Sequence, residues 1–429
     1  MLRRVSVVEA IARLRLPGDF EKLWAGVTIS AVGSQVTVLA VPLTAVLLLG
    51  AGPVETGVLI AARMAPMVLF GLFVGVWVDR LPRRPILVAA DLGSLVVIGS
   101  VPVAALFGAL HLGQLYAVAF IAGALSIISQ LARSALVPTL VGRESLVAAN
   151  SRLEASYSVA QVAGPSLGGL LVQAISAPLA LVVDAASFLL SALLIWRIRA
   201  IEQPPPQTTR RSPRQDIIEG LKAVRNDPVI FPLTVSIAVA NVEWFAVQGL
   251  FVPYASSGLG LPPAALGLVL AVLGPASFLG ATLVGPISRR WGVGPTMLAA
   301  LLLESISRLL LALAPSSLLA AVATLALSQA LVGFVLPLWD VNSLTLRQLR
   351  TPDRLLGRVN AAANVVAFSM APVGALLGGW LGSAAGPRAA ILAAGLLTML
   401  AFVYLLGSPI RQLRARPVPA DSTSTAASS

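Results

Sequence analysis

Between two apolar runs, 56–78 and 86–107, stands the turn Gly75-Val-Trp-Val-Asp79-Arg80-Leu-Pro-Arg83-Arg84-Pro85. A helix of roughly 20 apolar residues crosses a ~30 Å hydrocarbon core, and each flanking run has that length. The turn itself packs three arginines and an aspartate into a few residues, so the unit reads as a hairpin of two spans closed by a charged loop. The same alternation extends in both directions. Twelve apolar runs follow one another, near 23–48, 56–78, 86–107, 115–133, 152–173, 178–197, 229–251, 264–286, 295–313, 317–338, 359–382 and 388–407. They are too long, too rich in Leu and Ala, and too free of period-two alternation for the strands of a membrane barrel. An all-α membrane protein with twelve transmembrane helices is expected.

Composition agrees. Only 11% of the 429 residues are charged and 57% are hydrophobic, with a mean hydropathy of +0.90. A soluble domain carries about 25% charged residues, and a disordered chain is far less apolar. With no Cys and a single His, His111, disulfide scaffolds, thiol catalysis and Cys or His metal clusters are excluded. Neither Lys22 nor Lys222 stands in a phosphate-binding G-x-x-x-x-G-K-[ST] context. No enzyme and no cofactor is expected. The net charge of +12 is topological rather than a sign of nucleic acid. With the N-terminus placed inside, every basic residue except Arg63, Arg308 and Arg388 falls on the inner loops, tails or adjoining span ends. That asymmetry puts both termini in the cytoplasm and the protein in the inner (plasma) membrane.

The first run exceeds a signal-peptide h-region and follows a basic tail, so it is expected to remain as a span. Within that tail, Ser6 to Leu16 reads as a short interfacial helix. The expected segments are a cytoplasmic tail, 1–22; a six-helix bundle, 23–197; a linker, 198–228, with Pro204–Pro206, Arg210, Arg211 and a helical piece from Asp216 to Arg225; a second bundle, 229–407; and a polar, disordered tail, 408–429. Shifted by 210 residues, the chain matches itself: Gly57 falls on Gly267, Arg80 on Arg290, Pro85 on Pro295, Asn150 on Asn360, and Gly164, Gly168 and Gly169 on Gly374, Gly378 and Gly379. The two halves are therefore parallel repeats of six spans, an architecture used by transporters.

Two motifs carry a family resemblance. The turn Gly75 to Arg84 resembles motif A of the major facilitator superfamily, G-x-x-x-D-R-x-G-R-R, with Pro82 at the second glycine. Gly164-Pro165-Ser-Leu-Gly168-Gly169 resembles that superfamily's motif C, found mainly in its proton antiporters, with Ala160 at the first small position. Leu59 to Arg63 with Pro66, Pro138 to Asn150, Asp184 to Phe188 and Pro352 to Asn360 look like the twelve-span drug:proton antiporter group, to which macrolide-efflux proteins and the enterobactin exporter belong. The resemblance spans nearly the whole chain outside both tails. It implies alternating access and a central cavity lined by the first, second, fourth and fifth helices of each half. It assigns Asp79 and Arg80 to a charge network that locks one access state, with Gly75 allowing close helix approach and Arg83 and Arg84 anchoring the turn; Asp91, one turn into the third run beside that loop, reads as part of the network, and Gly164, Pro165, Gly168 and Gly169 serve helix closure.

Ionisable residues inside spans are functional candidates because burying them is costly. Glu243 sits at mid-depth of the seventh run, beside Asn241 and Trp244 and with no basic residue on its own helix, and is the leading proton-carrier candidate. Arg63 and Asp184 lie at matching depth and read as an ion pair. Glu304 and Arg308, spaced i, i+4, read as a structural pair on a scaffold helix. Polar stripes are expected to line the cavity: Ser30, Ser34, Thr37 and Thr44 on the first run, Ser126, Ser129, Gln130 and Arg133 on the fourth, and Glu154, Ser158 and Gln161 on the fifth. The expected function is export of a small amphipathic or hydrophobic compound, such as a drug, macrolide, siderophore or other natural product, in exchange for protons. The partners are the small-molecule substrate, protons and the lipid bilayer, without nucleic acid, and the protein acts as a monomer. A proton-coupled importer or symporter and a lipid-handling facilitator on the same fold are the alternatives, with a transport-dead receptor behind them.

Overall fold

The computed structural model describes residues 16–78, 81–142, 144–200 and 213–413. The expected interfacial helix up to residue 15, Asp79 and Arg80, the linker stretch 201–212 and the C-terminal tail lie outside the described residues. The described residues form helices: α1 Gly18–Leu43, α2 Pro53–Val78, α3 Arg83–Leu106, α4 Leu112–Val141, α5 Leu146–Ala174, α6 Ala177–Trp196, α7 Pro213–Asn226, α8 Ile230–Pro253, α9 Pro263–Ala271, α10 Leu273–Trp291, α11 Val293–Ala312, α12 Leu318–Arg350, α13 Asp353–Ala385 and α14 Pro387–Leu406. The helix α9 continues into α10 as one span, Pro263–Trp291. Among the described residues, eleven helices are long and apolar enough to cross a membrane. The expected run 152–173 lies within α5, whose 29 residues extend about 43 Å at 1.5 Å per residue. Its polar stripe lowers its mean hydropathy, which keeps it out of the eleven.

Helix ends follow local chemistry. The lone His111 caps α4 by accepting from the Gln114 N–H at 3.1 Å, and Glu55 accepts from the Gly52 N–H at 2.9 Å at the start of α2, each satisfying an otherwise orphaned donor. Between α10 and α11 the chain reverses at one residue, Gly292, with φ +94°, and between α13 and α14 at Gly386, with φ +87°. Only glycine adopts that conformation without strain. The linker helix α7 covers the expected Asp216–Arg225 piece and buries Val224 with Ile230, Val359 and Ala362, while Glu219 accepts from Arg358 at 2.6 Å.

The chain divides into two compact units, 1–50 with 62–208 and 262–271, and 51–61 with 209–261 and 272–429. The expected halves thus exchange two short segments. Each unit repeats the same neighbour relations. In the first, α1 packs on α5 and α6, and α3 on α4 and α6; in the second, α8 packs on α13 and α14, and α11 on α12 and α14. The 210-residue offset persists in backbone detail. A π-helical turn at Thr44–Leu48 ends α1, and its image, Tyr254–Gly258, ends α8. Phe20, Leu23, Leu87 and Leu136 centre the core of the first unit, and Leu233, Met297, Leu301 and Leu405 that of the second.

Candidate functional site

In the second unit the geometry joins three ionisable residues that the sequence keeps apart. Arg308, on α11, reaches across to α8, where its Nε donates to Glu243 Oε1 and its Nη2 to Glu243 Oε2 at 3.3 Å. The same Nη2 meets Oε1 of Glu304, one turn back on α11, at 3.5 Å. The guanidinium also lies over the Trp244 ring, 5.6 Å from its centroid. The side chains of Arg308 and Glu243 are 2% and 0% exposed. Gly395 makes room for them: a Cβ there would stand 2.9 Å from Arg308 Cβ. Two expectations change here. Glu243 is not a lone carboxylate, because its partner comes from another helix. Glu304–Arg308 is not a self-contained scaffold pair, because its guanidinium forks first onto Glu243. Asn241 turns its amide to the Ile237 carbonyl at 2.9 Å.

In the first unit Asp184, on α6, is fully buried. Its carboxylate accepts from Thr37 Oγ1 on α1 and from Ser187 Oγ at 3.1 Å. Gly33 opens this pocket, since a Cβ there would come within 2.6 Å of Asp184 Oδ1. Arg63 is exposed and acts on Asp184 electrostatically, but hydroxyls, not the guanidinium, hold the carboxylate. The expected ion pair is thus a longer-range interaction between Arg63 and a carboxylate held by hydroxyls. Ser30 and Thr44 from the same α1 stripe bond their own helix, at Val27 O and Ala40 O, as hydroxyls in apolar helices often do.

On α4 and α5, Ser126, Gln130, Glu154, Ser158 and Gln161 are exposed side chains, and Arg133 sits over the Tyr157 ring at 5.1 Å. Asp91 is buried on α3, within electrostatic reach of Arg133, and its Oδ2 has no hydrogen-bond partner. Arg84 donates to the Trp196 carbonyl. Of the remaining turn residues, Gly75 lies within α2 and Arg83 opens α3.

The span-five glycines sit where helices meet most closely. A Cβ on Gly164 would fall 2.2 Å from Gln35 Cβ, on Gly168 3.2 Å from Val36 Cα, and on Gly169 2.4 Å from the Pro263 carbonyl oxygen. Gly267 in turn approaches the Pro165 carbonyl, at 2.3 Å. The second unit repeats these contacts at the same offset. Gly378 meets Ala246 as Gly168 meets Val36, and Gly379 meets Gly57 as Gly169 meets Gly267.

Asp340 went unnoticed in the sequence because the tenth apolar run ends at residue 338, whereas α12 continues to Arg350. It is exposed, acts electrostatically on Glu304 and is itself acted on by Arg347. The repeat held the signal, since Asp340 falls on Gln130 of the fourth-span stripe. Among the described residues no group of His, Asp and Glu is arranged to hold a metal ion.

The chain is 29% identical over 400 residues to the multidrug efflux pump Tap of Mycolicibacterium fortuitum, covering 91% of this chain and 96% of that protein. It is 25% identical over 291 residues to the enterobactin exporter EntS of Escherichia coli O1:K1 / APEC, covering 68% of each. Among solved structures, a D323A mutant of the nucleoside transporter NupG superposes with a TM-score of 0.76 at 10% identity, covering 91% of this chain and 99% of that one. That identity speaks for the fold alone. The family model described as Major Facilitator Superfamily matches residues 23–251 and 233–428. The chain is a membrane-spanning, non-enzymatic transporter, and it belongs to the major facilitator superfamily.

Proposed function

We propose that this transporter exports a small amphipathic or hydrophobic compound in exchange for protons, by alternating access. The observation that carries the reading is the burial of carboxyl groups within membrane-spanning helices of both units: Asp184 in the first, Glu243 and Glu304 in the second. An ionisable side chain enclosed in a span is costly and is the kind of group that proton coupling requires. Likeness to Tap and EntS supports the outward direction. In this reading Asp79, Arg80, Arg83 and Arg84 form the access-state switch, with Gly75 allowing the turn to pack. Gly164, Pro165, Gly168 and Gly169 close the helices. Arg63, Arg133, Glu154, Gln161, Asn241 and Trp244 contribute the polar contacts to substrate. The protein works as a monomer in the inner membrane with both termini cytoplasmic.

The test is ethidium transport by purified protein in liposomes under imposed gradients. Uphill ethidium movement should follow an inward proton gradient, stop with a protonophore and ignore a sodium gradient. Movement that persists without a proton gradient, or follows sodium, overturns proton coupling.

A further inference from the structure

The buried triad on α8 and α11 does not balance. Arg308 is in contact with two carboxyl groups, and it treats them unequally. Glu243 receives both arms of a fork, from Nε and Nη2, whereas Glu304 receives one long contact of 3.5 Å. Glu304 also lies within electrostatic reach of Glu243. One guanidinium balances one carboxylate in a buried surrounding, so the second carboxyl is the one that carries a proton. A guanidinium held bidentately stabilises the ionised partner most, which leaves Glu304 as the one that is protonated.

We infer that Glu304, not Glu243, is the proton-carrying residue of this transporter, and that the Glu243–Arg308 fork is the fixed element that holds it in place. The inference rests on the proton-exchange reading above. With the proton bound to a Glu304 oxygen the triad is neutral, because Glu243 and Arg308 cancel. When the O–H bond breaks and the proton passes to water, the triad keeps one uncompensated negative charge inside the second unit. That change of one charge is what a proton-driven conformational cycle needs to distinguish its states.

The neighbouring charges support this placement. Among the described residues, the groups acting on Glu304 are Glu243, Arg308 and Asp340. Asp340, on α12, is another acid, so it adds to the negative excess, and its own balancing cation is Arg347. The other ionisable groups on elements packed against α11 are engaged or positioned elsewhere. Arg350 of α12 pairs with Asp227 at 3.2 Å, and Arg388 of α14 donates to the Ala314 carbonyl at 2.9 Å. Tyr404 lies near the C-terminal end of α14, Arg289 and Arg290 in the last turn of α10, and Arg411 in the turn Pro409–Gln412. Glu304 keeps 12% of its side chain exposed, against none for Glu243, which gives the proton a way in and out.

The experiment is an acid-minus-alkaline infrared difference spectrum of the purified protein in lipid, run beside ethidium transport in liposomes. The wild type should show a protonated-carboxyl band that disappears in Glu304→Gln. Glu304→Asp, which keeps an acid at the site if the Gln variant folds poorly, should shift that band, and Glu243→Asp and Asp340→Asn should leave its position unchanged. Glu304→Gln should also lose ethidium transport driven by a proton gradient. A band that survives Glu304→Gln, or that shifts with Glu243→Asp and not with Glu304→Asp, overturns the assignment. If wild-type transport itself ignores the proton gradient while the band behaves as expected, the proton-exchange reading fails and the protonation site stands. If wild-type transport follows the gradient and Glu304→Gln matches it, the assignment falls and the reading survives.

Discussion

Charge balance in the triad makes a stability prediction that simple loss of contacts does not. Replacing Glu243 with Gln removes a carboxylate from a fully buried guanidinium, and an orphaned buried charge costs about 3–5 kcal/mol. Yet Arg308 also touches Glu304, which can ionise and take over the pairing, so Glu243→Gln alone should cost only about 1 kcal/mol, the scale of one hydrogen bond. Glu304→Gln should cost about 1 kcal/mol or less by the same scale, because Glu243 keeps its fork. Only the double variant leaves Arg308 with no anion and should lose the full 3–5 kcal/mol or so. The double-mutant cycle should therefore show a coupling of about 1–3 kcal/mol beyond the sum of the singles. Unfolding by SDS in mixed micelles, followed by circular dichroism, measures all four proteins on one scale. If the double variant loses no more than the sum, within about 0.5 kcal/mol, Arg308 does not depend on these two carboxylates. If Glu243→Gln alone loses as much as the double, Glu304 cannot substitute, and the shared-guanidinium argument is refuted.

Other expectations are direct. Gly169→Leu should abolish transport, since its first side-chain carbon already meets the Pro263 carbonyl oxygen at 2.4 Å; Gly379→Leu, its repeat image, should do the same at the Pro53 carbonyl, 2.6 Å away. Full activity of both would show that neither crossing is needed, and ethidium transport by protein checked for membrane insertion decides it. Asp79→Asn should insert normally and lose transport by weakening the access-state network; wild-type rates in an inserted variant would remove Asp79 from that role. Asp184→Asn should keep its Ser187 and Thr37 hydroxyl partners and cost stability only modestly, on the order of 1 kcal/mol, while altering the field felt by Arg63. A loss comparable to an orphaned buried charge would mean that Arg63 depends on Asp184 after all. A reporter fused to the C-terminus should be active only in the cytoplasm; activity only in the periplasm would reverse the assigned sidedness.

The sequence by itself determined the membrane class, the helical fold, the parallel repeat and the family, because each rests on signals local in the chain. Apolar run length answers to the hydrocarbon thickness. Loop arginines are ordered along the chain, and the repeat is a constant offset that survives down to the π-helical turns at Thr44–Leu48 and Tyr254–Gly258. The glycines of span five were also legible, since a close helix crossing excludes a side chain whichever helix is on the other side. What only the tertiary structure decided is which helix that is, and which charge meets which. Glu243 and Arg308 stand 65 residues apart, on helices whose relative rotation is set by packing rather than by local periodicity. The same rotation turned the expected Arg63–Asp184 pair into a carboxylate held by Thr37 and Ser187. Asp340 escaped notice because an apolar run ends where its hydropathy ends, whereas a helix ends where its backbone bonds do. Partner identity is a property of three-dimensional packing, and the single residue spacing visible on α11, Glu304 to Arg308, showed one arm of a triad whose third member lies on another helix.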